Sequence, residues 1–327
     1  MTDYKTIFGK KIKFQTSDLT MSTATEGELF YSDTDAEFKV GINLTAWAAG
    51  GNMNTGINYR HAGGIQTAMF GAGGYNPGVS PAFEANTEEY DGSSWTNTND
   101  MGTARYGGCG CGTQTAGLAT GGTATSGVAS LLNEEYNGST WTEAGDINTG
   151  HGYGYQAGTQ TAALVATGLA NPSPATPTVN AETYDGTSWT EGPNINTARY
   201  EVTGFGTSTA MVIAAGADGQ LVEEFDGSSW TEVTNVPATR NNSGASGVLT
   251  DGLVFGGAPH PITATFSYDG TNWASAPALG TAGAYGNRGE SESGGTSAIF
   301  FGTGPGGPRA ITQEYGGTVT LKTVTDS

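Results

Sequence analysis

Between Lys39 and Lys322 the chain has no lysine, and four of its six lysines (Lys5, Lys10, Lys11 and Lys13) fall within the first 13 residues. With 31 acidic against 12 basic residues the formal charge is −19, so an acidic body follows a basic N-terminus. That balance argues against nucleic acid as the partner, because phosphate binding is driven by lysine and arginine. Cysteine is nearly absent: Cys109 and Cys111 stand in Gly-Cys-Gly-Cys-Gly. That spacing suits a disulfide poorly and offers too few thiols for zinc, so both read as small buried residues on one face of a strand. No apolar run approaches the ~18 residues of a membrane helix, so no span is expected. The N-terminus is charged without an apolar stretch, so no secretory signal is expected either. Long helices are disfavoured too, since 54 of 327 residues are glycine and each one inside a helix costs about 1 kcal/mol.

What the chain has in abundance is a repeat. Glu88-Glu89-Tyr90-Asp91-Gly92-Ser93-Ser94-Trp95-Thr96 recurs, with small changes, at 134–142, 182–190, 223–231 and 267–274. The six tryptophans (Trp47, Trp95, Trp141, Trp189, Trp230 and Trp273) are spaced by 48, 46, 48, 41 and 43 residues, and Trp47 ends a degenerate copy. An aromatic, Asp-Gly or Asn-Gly, and then Trp predicts a hairpin with a tight type I′ turn, whose two central residues need positive φ. A calcium loop fits less well: it needs several oxygen ligands at alternating positions, and each copy offers one carboxylate followed by Ser or Thr. Seventeen residues after five of the tryptophans stands a glycine (Gly64, Gly112, Gly158, Gly206, Gly247), followed by a short apolar run such as Met211-Val212-Ile213. Such runs, bounded by glycine, predict buried strands. Each unit therefore offers four strands: one after the Asn-Thr-Ala-Arg-Tyr stretch, the apolar run, the Glu-Glu-Tyr strand and the Trp strand. Between the second and third lies a loop of variable length (75–85, 123–131, 170–179, 217–220), which puts the diversity on one face.

Four strands per unit, a double glycine after the second (Gly73-Gly74, Gly121-Gly122, Gly256-Gly257) and an aromatic before a turn and Trp resemble the kelch motif of β-propellers. The resemblance implies an all-β, six-bladed kelch-like β-propeller over residues 29–327, with seven blades left open; residues 1–28 stand outside the repeat and read as an extended N-terminal arm with one short strand. The last unit, Gln313-Glu314-Tyr315-Gly316-Gly317, lacks its Trp, and the hairpin over 29–47 is expected to complete that blade. The wording of the repeats, Glu-Glu-Tyr-Asn-Gly-Ser-Thr-Trp-Thr and Gly-Thr-Gln-Thr-Ala-Ala-Leu, with Gly9-Lys10-Lys11-Ile12-Lys13-Phe14 near the start, is similar to virion structural proteins (tail or fibre) of marine tailed bacteriophages. What this implies is a non-enzymatic virion protein, assembled in the host bacterial cytoplasm. Its arm would be anchored to other virion proteins through Lys10, Lys11, Lys13 and Phe14. Its propeller would be displayed for adhesion to host cell-surface polysaccharide. The alternatives are a capsid decoration or spacer without ligand, and a carbohydrate-active enzyme on the same fold.

Candidate chemistry is sparse. Kelch-like propellers include a copper oxidase family whose metal site uses two His, two Tyr and a thioether-linked Cys. Here His61, His151 and His260 occupy different places in their units, so no metal or cofactor is expected. The carboxylate pairs Glu88/Glu89, Glu134/Glu135 and Glu223/Glu224 repeat with the unit, which marks them as structural. Ten residues after each Trp stand Ile57, Arg105, His151, Arg199, Arg240 and Gly283. Arg105, Arg199 and Arg240 have two readings. Either each pairs with backbone carbonyls or with a Glu of the neighbouring blade, or, joined by His151, they form a cationic ring at the channel mouth that contacts a ligand.

Overall fold

The computed structural model describes residues 3–7, 10–15, 29–32, 35–125, 128–217, 219–258, 262–283, 287–288, 295–304 and 307–323. Every helix or strand assigned among them is a strand. The chain divides into two compact units, Trp47–Tyr315 and, separately, Met1–Ala46 with Gly316–Ser327.

The larger unit is a six-bladed β-propeller. Five blades are four-stranded antiparallel sheets in sequence order. The first runs His61–Ile65, Ala68–Tyr75, Phe83–Tyr90, Trp95–Thr98. The second runs Cys109–Thr113, Ala116–Thr120, Asn133–Tyr136, Trp141–Glu143. The third runs Tyr155–Thr159, Ala162–Ala166, Ala181–Tyr184, Trp189–Glu191. The fourth runs Thr203–Thr207, Ala210–Ala214, Val222–Phe225, Trp230–Val233. The fifth runs Gly244–Val248, Asp251–Phe255, Thr265–Tyr268, Trp273–Ala276. The sixth is assembled from both ends of the chain: Asn287–Arg288, Ala298–Gly304, Gly307–Thr323 and then Glu37–Ala49. The first strands of the six blades touch one another in a closed circle and line the axis.

The repeat residues explain the blade. The glycine seventeen residues after Trp ends each first strand with φ between 89° and 127° in five blades, and a Cβ there would lie 2.2–2.3 Å from the carbonyl oxygen four residues on. No side chain fits, so glycine is required. The double glycine is two different requirements. Its first position has φ near 60°, which Thr167 and Ala215 adopt in the third and fourth blades. Its second has φ of 90–120° and is glycine in all five (Gly74, Gly122, Gly168, Gly216, Gly257), where a Cβ would meet the facing loop's carbonyl oxygen at 2.6–2.9 Å.

The hairpin between the third and fourth strands differs from the expected type I′ turn. Tyr90 pairs directly with Trp95, leaving a four-residue loop, 91–94. Only Gly92 has positive φ. Asp91 acts instead as an acceptor: its Oδ1 takes the backbone N–H of Ser93 and of Ser94, each at 2.8 Å. Asn137, Asp185, Asp226 and Asp269 repeat the arrangement. The preference for Asp or Asn therefore reflects side-chain capping of the turn rather than tolerance of left-handed backbone.

Trp47 supplies the tryptophan that the last repeat lacks. Its ring lies 5.2 Å from that of Tyr315 and 4.7 Å from that of Phe255, and its indole N–H donates to Thr265 Oγ1 at 3.1 Å. Backbone bonds from Gly50 to Thr312 and from Met53 to Ala310 continue the seam. In the smaller unit, Asp3–Ile7 pairs antiparallel with Lys10–Gln15, which pairs in parallel with Leu29–Ser32, which pairs antiparallel with Glu37–Ala49. The first 28 residues thus hold two paired strands where one short strand was expected. Lys10, Lys11, Lys13 and Phe14 all fall on the second of them.

Candidate functional site

Arg105, His151, Arg199 and Arg240 are buried, with 0–4% of each exposed. They do not form a cationic ring at a channel mouth. Arg105, His151 and Arg199 each meet a carboxylate of their own blade and not of the neighbour. Arg105 Nη1 pairs with Glu134 and its Nη2 donates to Ala119 O. Arg199 pairs with Glu223 at 2.5 Å and donates to Ile213 O. His151 Nε2 lies 3.4 Å from Glu182. Arg60 takes this place in the first blade, 3.2 Å from Glu88, and Ile57, which stands at the expected position, is fully buried as an apolar side chain. In the sixth blade Gln313 closes the same gap, exchanging hydrogen bonds with the backbone of Thr281.

The fifth blade breaks the scheme. Phe266 stands where the first four blades carry the acid, and the Arg240 guanidinium stacks on its ring at 4.7 Å. Arg240 Nη1 donates to Gly256 O, while its Nε and Nη2 have no partner. Burial lowers the Arg60, Arg105 and Arg199 guanidinium pKa values against the opposing pull of their glutamates. For Arg240 burial acts alone and brings the value to about 10. Burial, then the charge of Arg105, pushes His61 down to about 3.

The second acid of each pair points the other way, as strand alternation demands. It accepts from the tyrosine of the next blade: Tyr136 to Glu89 at 2.7 Å, Tyr184 to Glu135 at 2.8 Å, Tyr268 to Glu224 at 2.7 Å, and Tyr90 to Glu314. Burial first, then these carboxylates, raises the phenol pKa values, to about 12 for Tyr90. Gln114 and Gln160, from the repeated Gly-Thr-Gln-Thr, reach back to main-chain carbonyls of the preceding blade. The repeated polar residues are therefore braces within and between blades.

Two other features are not repeated evenly. At the end of the channel where first and second strands turn, a cavity of about 220 Å³ is lined by glycines and by Ile65, Thr113, Gln114, Thr159, Tyr155 and Phe205. At the opposite end Tyr59, Tyr106 and Tyr153 converge: ring centroids are 5.3 Å apart for Tyr59 and Tyr153, 6.3 Å for Tyr59 and Tyr106, and 6.2 Å for Tyr106 and Tyr153. Phe83 stacks on Tyr106 at 4.9 Å and Tyr75 lies 5.4 Å from it. The long connections of the first three blades leave from this same end. Two of them carry small hairpins, Thr123–Thr125 with Val128–Ala129 and Leu169–Pro172 with Ala175–Pro177. Val79, Val128 and Leu131 on these connections are among the few large apolar side chains left exposed. Sequence reasoning missed this aromatic cluster, since the position shared by Tyr59 and Tyr153 is glycine in the second blade, and Tyr106, Tyr75 and Phe83 stand at other places in their units.

Cys109 and Cys111 are both buried, as expected. His260 and residues 290–294 lie outside the described residues. Among the described residues no three His, Cys, Asp or Glu side chains are grouped to hold a metal, and no helix is long and apolar enough to cross a membrane.

The fold and its braces define the class, a six-bladed β-propeller. Among solved structures the chain is similar to one described as "Structure of YjhT", with a TM-score of 0.64 and 12% identity, over 84% of this chain and 96% of that one. That likeness shows the fold alone. No protein-family model matches the chain. No curated protein matches its sequence.

Proposed function

We propose that the chain is a structural protein of a tailed-phage virion, associated with the tail or a fibre. In this reading it docks through its N-terminal residues, including Lys10, Lys11, Lys13 and Phe14, and displays a kelch-type propeller for adhesion to host cell-surface polysaccharide, without catalysis. The observation that carries the reading is the division of labour among the side chains. The repeated Arg, His, Glu, Tyr and Gln side chains brace the blades, whereas the variation in loop length, with the exposed Val79, Val128 and Leu131, falls at the end bearing the long connections of the first three blades. A surface built that way suits many weak contacts, which multiple copies on a particle would turn into avid attachment. The wording of the repeats supports the virion assignment, and the acidic body fits a partner other than nucleic acid.

The test has two parts. A protein lacking residues 1–28 is expected to fold and yet be missing from purified particles; normal incorporation would overturn the docking role. Soluble propeller added in excess is expected to slow adsorption of particles to host cells, and unchanged adsorption would overturn the adhesion role.

A further inference from the structure

The aromatic cluster at the end of the long connections is the most unusual surface of the molecule. Tyr59 and Tyr153 occupy equivalent positions just before the first strands of their blades, with φ of 56° and 55°. In the second blade the same position is Gly107, with φ of 67°. The position is left-handed in the fourth and fifth blades too, at Glu201 (φ 56°) and Asn242 (φ 48°), so the backbone turn belongs to the repeat, and tyrosine fills it in the first and third blades. A belt of inter-blade backbone bonds holds it: Gly107 N–H donates to Tyr59 O at 2.9 Å and Tyr153 N–H donates to Gly107 O at 2.6 Å. Gly107 also makes room, since a Cβ there would sit 2.9 Å from the Tyr153 ring. The arrangement therefore fixes two phenol rings at this end of the channel. Tyr106, Tyr75 and Phe83 extend them into a platform whose five rings are all partly exposed.

We propose that this platform binds an uncharged hexose glycan. Aromatic faces pack on the apolar C–H faces of a sugar ring, while the phenol hydroxyls hydrogen-bond with its hydroxyl groups. The Tyr153 hydroxyl stays neutral. Burial, followed by the nearness of Tyr106, pushes the Tyr153 phenol pKa up, with smaller contributions from Tyr59 and Glu201. Glu201 beside the rings and the net charge of −19 disfavour an anionic polysaccharide. The inference rests on the adhesion reading for its biological setting and on the geometry for the site.

Titration calorimetry of the full chain with maltohexaose, laminarihexaose and mannohexaose, and with alginate as the polyanion, tests it. At least one neutral hexasaccharide is expected to bind with a dissociation constant below about 1 mM, and alginate more weakly. Tyr106→Ala and Tyr75→Ala should each weaken that binding at least tenfold with an unchanged circular dichroism spectrum, while Thr113→Ala, at the other end of the channel, should not. If Tyr106→Ala fails to fold, Tyr75→Ala alone decides. Absence of binding to every neutral sugar, equal binding to alginate, or indifference to the tyrosine changes would overturn the proposal. The two readings fail separately. Particles that adsorb through a propeller that binds no neutral sugar overturn the glycan site alone. A sugar-binding propeller that does not slow adsorption overturns adhesion alone.

Discussion

At the scale of single residues, the propeller offers an internal comparison of one buried cation in two settings. Arg105 and Arg240 are both fully buried. Arg105 has Glu134; Arg240 has a phenylalanine face and one carbonyl. Removing one member of a buried ion pair costs roughly 3–5 kcal/mol because the other charge is stranded. Replacing a buried charge that lacks a counter-charge with an apolar side chain of similar volume removes a desolvation penalty instead. Arg105→Met is therefore expected to lower the urea midpoint strongly, and Arg240→Met to leave it unchanged or raise it. Equal losses in both would refute the distinction. His61 gives a second prediction. The unfolded imidazole takes up its proton near the usual 6.5, the folded one only near 3. Between those values the unfolded state binds more protons, so stability is fullest above about pH 6.5 and falls as the pH drops, by up to about 1.4 kcal/mol per unit from this group. A His61→Gln variant should show a shallower decline of Tm between pH 7 and pH 4.5; an identical slope would show that His61 charges freely in the fold.

At the scale of elements, the junction between the third and fourth blades departs from four of the other five in a coordinated way; at the fifth–sixth junction Ser267 alone replaces the glutamate. Four junctions carry a tyrosine hydroxyl on a glutamate. At the third–fourth junction the tyrosine is Phe225 and the glutamate position is Thr183, so both halves of the bond are replaced together. Restoring one half alone should do little or harm, whereas Phe225→Tyr with Thr183→Glu should recover a coupling of about 0.5–2 kcal/mol in a double-mutant cycle. A coupling of zero would show that the bond is incidental to the junction. The four strands of each blade were legible in the sequence because glycine, apolar run, aromatic and Trp recur at fixed offsets. The bonding between blades was not, since Tyr136 and Glu89 are 47 residues apart and Tyr184 and Glu135 are 49 apart. Their meeting depends on the order of blades around the ring. Arg60 escaped notice because it sits three residues beyond the offset that identified Arg105 and Arg199, although the unanswered Glu88 in the repeat pointed to a missing cation. The buried row six residues after each Trp (Met53, Met101, Ile147, Ile195, Val236, Leu279) was present at a constant offset and went unread because its side chains differ.

At the scale of the whole molecule, a ring of blades must be closed, because an open ring leaves a first and a last sheet with unpaired edges. The sequence showed where closure would fall: five repeats end in Trp, the last has none, and an odd Trp47 stands ahead of the first. The structure joins those facts at the seam, where Trp47 packs between Phe255 and Tyr315 and donates to Thr265. Losing a fully buried Trp side chain costs about 3–5 kcal/mol and a half-buried one such as Trp47 or Trp141 less, so the magnitude alone says little about closure. The distribution of the loss is diagnostic. In Trp47→Ala, native-state hydrogen exchange of the amides in Ala298–Tyr315 should accelerate together, because that blade loses its outermost contacts, while the second to fourth blades keep most of their protection. In Trp141→Ala, whose indole bonds Thr87 within consecutive blades of one continuous chain segment, the loss should centre on the first two blades and leave the seam closed. If both variants lose protection evenly around the ring, the propeller unfolds as one cooperative body and the seam is no weaker than any other junction.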